Sequence, residues 1–123
     1  MTTYVVLLTG DENAWEQMTT EQQSSVFAKH EEFARLLAAR GHRLTGGQEL
    51  MPSPNTKKIT KGPDGSVAVT DGPYAETVEQ LGAFYLVETD DLDDLLEVSA
   101  LLAETDGAIE VRAAVDHSED AEG

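Results

Sequence analysis

Tyr4-Val5-Val6-Leu7-Leu8 is apolar at five successive positions, which predicts a strand covered on both faces rather than one that alternates toward water. Thr9-Gly10-Asp11-Glu12-Asn13 ends it, and Trp15 and Met18 follow in a loop segment, with Trp15 expected to fold back over the core edge. Thr20 and, three residues on, Gln23 make a capping-box signature for a helix from Glu21 to Arg40. Val26, Phe27, Phe33, Ala34, Leu37 and Ala38 recur there at helical spacing, and Gly41 supplies the stop. Arg43 to Leu50 reads as a second strand with a kink or bulge at Gly46-Gly47. Lys57 to Thr60 and Ser66 to Thr70 flank the turn Gly62-Pro63-Asp64-Gly65 as a β-hairpin. Ala83 to Glu88 is a further strand. Thr89-Asp90-Asp91-Leu92-Asp93-Asp94-Leu95-Leu96 begins a second helix, with acids in its first turns that suit its N-terminal dipole and with Leu92, Leu95, Leu96, Ser99, Leu102 and Ala103 as its apolar stripe. Ala108 to Val115 alternates as the last strand.

The order β-α-β, hairpin, β-α-β predicts an α+β fold: a ferredoxin-like split βαβ with an inserted β-hairpin, an antiparallel sheet and two helices on one face. The strands are apolar in both directions, with Val5, Leu7, Tyr85 and Val87 assigned to one face and Tyr4, Val6, Leu8, Phe84 and Leu86 to the other. Two helices cover only one face, and an exposed apolar sheet marks an association surface. The expectation is therefore a homodimer through its sheet faces.

At 123 residues the chain fits one domain, drawn at 1–115, with an acidic flexible tail at 116–123. Its 24 acidic and 8 basic residues give a formal charge of -16, which repels nucleic acid and anionic membranes. Lys57, Lys58 and Lys61 form the tight basic cluster, read as a solvated hairpin edge. No cysteine is present, which excludes disulfides, thiolate metal sites and cysteine nucleophiles. No apolar run approaches the ~20 residues of a membrane span, so a cytoplasmic protein is expected.

His30 falls on the stripe of the first helix, four residues after Val26 and three before Phe33, which aims it at the core or a cleft beside it. A histidine so placed is either a satisfied structural residue or a proton carrier. Asp71 lies where a strand gives way to Gly72-Pro73, a location suited to working residues. A carboxylate holding one imidazole nitrogen fixes the tautomer and raises the basicity of the other, so His30 and Asp71 form the candidate catalytic pair. Glu49, Tyr74, Glu76 and Arg112 are the candidate substrate-binding residues; Arg112 either clamps a carboxylate or pairs with Glu49 or Glu88 across the sheet. Glu76 and Glu79 read either as a carboxylate pair or as a solvated cap. The serines lack a nucleophile elbow and the histidines lack ligand spacing, so no cofactor and no metal are expected.

Thr70-Asp71-Gly72-Pro73-Tyr74-Ala75-Glu76-Thr77, continued by Glu79-Gln80-Leu81-Gly82 and Phe84-Tyr85-Leu86, resembles the DGPF-domain branch of the YCII-related proteins, with Tyr74 where Phe is usual and Val78 where Lys is usual. The resemblance runs from Tyr4 to Arg112. It implies a ferredoxin-like dimeric α+β barrel of unknown function. The small YCII-like proteins carry a His and an Asp as their candidate active-site pair, which adds weight to His30 and Asp71. Two functions follow as expectations. One is a small enzyme using that pair for general acid/base chemistry on a small organic substrate. The other is a non-catalytic ligand-binding or regulatory module associated with transcription, as some DGPF relatives are linked to sigma factors.

Overall fold

The structure, a computed structural model, describes residues 1–72, 79–104 and 107–117. Along them run β1 (Thr2–Asp11), α1 (Glu12–Glu16), α2 (Thr20–Ala39), β2 (Arg43–Glu49), β3 (Lys57–Lys61), β4 (Val67–Asp71), β5 (Glu79–Thr89), α3 (Leu92–Ala103) and β6 (Ile109–Ala113). The sheet order is β2-β5-β1-β6, every neighbour antiparallel, while β3 and β4 pair with each other in a separate two-stranded sheet. This is a mixed α+β architecture, as expected, and the hairpin falls where its turn residues put it. Tyr74 and Glu76 lie outside the described residues, as does the end of the tail from Ser118.

Local chemistry moves several boundaries. The capping box of α2 is Thr19 with Gln22, not Thr20 with Gln23: the Gln22 N–H donates to Thr19 Oγ1 (3.1 Å) and the Thr19 N–H to Gln22 Oε1 (2.9 Å). Consecutive Thr-Thr and Gln-Gln pairs satisfy the same spacing twice, and only the backbone decides between them; Thr19 is extended (φ -69°, ψ 162°). Trp15 stands in the short helix α1, not in a loop, because Asp11 caps that helix by accepting the Asn13 N–H at 2.9 Å.

Packing also turns the helices relative to the expected stripes. On α2, Val26, Phe33 and Leu37 are buried, whereas Phe27 and Ala38 are exposed. On α3 the buried set is Leu95, Val98, Ser99 and Leu102, an i, i+3, i+4, i+7 series in which Val98 takes the place given to Leu96. Phe33, Leu37, Leu95, Val98 and Leu102 meet Val6, Leu8 and Val87 of the sheet to form the core. Each such side chain contributes roughly 1.5–3 kcal/mol by leaving water.

The sheet faces need a correction. Tyr4 lies opposite Val87, Val6 opposite Tyr85 and Leu8 opposite Ala83, so Tyr85 and Val87 share the helix-covered face with Tyr4, Val6 and Leu8. Val5, Leu7, Phe84 and Leu86 share the other face and are half-buried. Which residues of two strands share a face depends on register, which alternation within each strand leaves open. Among the described residues no helix is long and apolar enough to cross a membrane.

Candidate functional site

One end of the sheet opens into a cavity of about 550 Å³ between the C-terminal part of β1, the short helix α1, the first half of α2, the end of β2 and the start of β5. Small-molecule sites commonly fall between 300 and 1,000 Å³ (roughly), so a compact organic ligand fits this volume. Leu8, Val26 and Ala83 bring core apolar surface to it, and Trp15 and Phe27 add an aromatic wall in edge-to-face contact, with ring centroids 5.5 Å apart and planes at 79°.

His30 reaches this cavity because α2 carries it on the same face as the buried Val26 and Phe33, four residues after the one and three before the other. Its Nδ1 shares a hydrogen bond of 2.6 Å with the hydroxyl of Tyr85, which also lines the cavity. Tyr85 is held from below by Phe33, with ring centroids 5.0 Å apart. From the side it is held by Gly47, directly opposite on β2. A Cβ at Gly47 would stand 2.6 Å from the Phe84 carbonyl oxygen and 3.1 Å from the Tyr85 ring, and the residue's φ is 156°. Glycine there lets the two strands approach closely beside the phenol. The bulge expected at Gly46-Gly47 is present one step earlier, where the register shifts between Leu44 and Gly46.

Acids surround the cavity. Asp11, Glu12, Glu16 and Glu49 all line it. Asp11 caps α1, and Glu12 accepts from the Ser53 N–H (2.7 Å) and hydroxyl (2.6 Å), which ties α1 to the segment after β2. Glu16 and Glu49 have no hydrogen-bond or ion-pair partner among the described residues.

The structure thus brings together two of the residues singled out from sequence, His30 and Glu49. Asp71 is elsewhere: its carboxylate pairs with Lys57 across the β3–β4 hairpin, its side chain is 74% exposed, and it does not line the cavity. Arg112 lies opposite Val5, so it belongs to the sheet face away from the cavity. Tyr74 and Glu76 lie outside the described residues. Sequence reasoning passed over the Tyr85 hydroxyl, although a tyrosine in the otherwise apolar run Ala83 to Val87 signals a buried polar tip in need of a partner.

A second histidine cluster, also unforeseen, closes the opposite end of the sheet. His42 is only 5% exposed, with Nδ1 2.7 Å from Thr89 Oγ1 and Nε2 2.6 Å from Asp94 Oδ2. An ionised carboxylate can only accept, so Nε2 carries the proton; in the neutral ring Nδ1 accepts from Thr89, whose oxygen in turn accepts the Asp91 N–H at 3.0 Å. Arg40 donates to the other Asp94 oxygen at 2.9 Å. The His42 hydrogen bond, aided by the Arg40 charge, holds the Asp94 carboxyl below the usual carboxylate range.

These features define an α+β protein with a small-molecule-sized cavity at one end of its sheet. The YCII-related domain profile matches residues 2–117, and the chain belongs to that family. It is 30% identical over 112 residues to the uncharacterized protein R00369 of Rhizobium meliloti (strain 1021), covering 89% of each chain.

Proposed function

We propose that this YCII-related protein binds a compact organic molecule in the cavity and handles a proton there through His30 and Tyr85. The supporting observation is the 2.6 Å bond between His30 Nδ1 and the Tyr85 hydroxyl in the cavity wall. An imidazole joined to a phenol passes a proton with little movement of heavy atoms, so either group serves a ligand while the other adjusts. Tyr85 here takes the role that the sequence reading gave to Asp71. Glu49 is the substrate-contacting acid in this reading.

The family branch and the assembly belong to the same proposal. The motif from Thr70 to Gly82 supports the DGPF branch, and the strand order β2-β5-β1-β6 supports the ferredoxin-like topology. Val5, Leu7, Phe84 and Leu86, away from the helices, support a homodimer through sheet faces and hence a dimeric α+β barrel.

Imidazole 15N signals, compared in the native chain and in Tyr85→Phe and Asp71→Asn, test the pairing. The His30 resonances are expected to change in Tyr85→Phe and to stay in Asp71→Asn; the reverse pattern returns the role to Asp71. Once a small-molecule screen finds a turned-over compound, His30→Gln should slow it by roughly 10²–10⁴-fold while leaving binding within a few-fold. Binding without turnover would identify a non-catalytic ligand-binding module instead.

A further inference from the structure

We infer that the ligand of this cavity carries a positive charge on an apolar or aromatic body, an aryl- or alkylamine in class, and that anions are excluded. The inference rests on the small-molecule reading of the cavity and adds the ligand's charge to it. Among the described residues that line the cavity, four are carboxylates (Asp11, Glu12, Glu16 and Glu49) and none is a lysine or arginine.

Two of the acids are already committed within the fold, since Asp11 caps α1 and Glu12 holds Ser53. Glu16 and Glu49 are not, and they come from different elements, α1 and β2. A ligand ammonium beside either gains a carboxylate without displacing an internal partner. The aromatic pair Trp15 and Phe27 suits the same ligand twice over. Its rings provide apolar contact for a hydrocarbon body and a negative quadrupole for a cation. Arg112, the residue best suited to clamp a substrate carboxylate, belongs to the opposite sheet face. The chain's formal charge of -16 acts in the same direction at longer range, attracting cations and repelling anions before contact.

Three probes of matched ring and similar length separate charge from shape: 2-phenylethylamine, 2-phenylethanol and 3-phenylpropionate. Trp15 is the chain's single tryptophan and lines the cavity, so its fluorescence reports each titration of the full chain at constant ionic strength. The amine is expected to bind on the order of 1 mM, as suits a fragment of this size. It should bind about five-fold or more tighter than the alcohol, with the acid weakest, and added salt should shrink the gap. In Glu16→Gln/Glu49→Gln the amine should fall to the affinity of the alcohol while the alcohol stays within two-fold. Both side chains are solvent-exposed, and the native-chain series stands without the variant.

Binding of the acid as tightly as the amine, or an amine advantage that survives the double substitution, overturns the charge assignment and leaves the cavity reading intact. Silence of Trp15 toward all three probes overturns both.

Discussion

His30 sits midway along α2 and His42 just past its C-terminal end, with Phe33 and Leu37 of the core between them in sequence, and their surroundings differ in kind. His42 is enclosed, and both ring nitrogens are used by side chains of the same fold, Thr89 and Asp94. His30 is half-buried in the wall of a cavity, bonded to a tyrosine that lines the same space. One ring joins α3 and β5 to the turn between α2 and β2 and completes a closed chain of donors and acceptors. The other places a titratable group where a ligand can meet it. Equal chemistry therefore gives a strut in one place and, on our proposal, a proton carrier in the other, the difference being the adjoining volume.

The contrast breaks most readily under substitution. His42→Ala strips partners from the buried Thr89 hydroxyl and from Asp94 and should cost about 2–3 kcal/mol in urea unfolding, whereas His30→Gln should change stability by less than ~1 kcal/mol. Equal losses would erase the distinction. Gly47→Ala tests the cavity end through its backbone. The added methyl meets the Phe84 carbonyl and the Tyr85 ring, and such overpacking costs typically 1–3 kcal/mol. It should also disturb the His30 ring signals while leaving those of His42 in place.

Acid sharpens the comparison from the other end. The folded Asp94 carboxyl binds its proton more weakly than the unfolded one, so its contribution is complete above the ordinary carboxylate range and is lost as pH falls through the lowered value. The stability gap between the native chain and Asp94→Asn should therefore be widest near neutral pH and should close below about pH 4. A gap that widens in acid reverses the sign. The smallest expected effect concerns Ser99, buried on α3 with a hydroxyl that has no partner among the described residues. Ser99→Ala should be neutral or stabilising by up to about 1 kcal/mol, unlike any loss within the fully bonded His42 cluster.

Much of the fold was legible in the chain, because long apolar periods and turn residues act locally. The segment Tyr4 to Leu8, the α2 periodicity and the Gly62–Gly65 turn each state their element within a dozen residues. Helix α1 was missed since five residues carry no period. The sheet faces were crossed because β1 and β5 are far apart in sequence and each shows only its own alternation. The site divides along the same line. His30 and Glu49 could be placed by their positions on a helix and a strand. The partners of the two histidine rings could not: Tyr85 is 55 residues from His30, and Thr89 and Asp94 are 47 and 52 residues from His42. Asp71 drew attention through its turn, yet the strand opposite offered Lys57, a nearer charge.

Among the described residues the β3–β4 hairpin bonds strand to strand only within itself, from Lys57 with Asp71 to Lys61 with Val67, and the ladder β2-β5-β1-β6 runs on without it. It is thus a modular appendage. Lineages can lengthen, recolour or discard such a lobe while the load-sharing strands keep their bonds, and an engineer can graft an epitope or a fluorophore at its tip for the same reason.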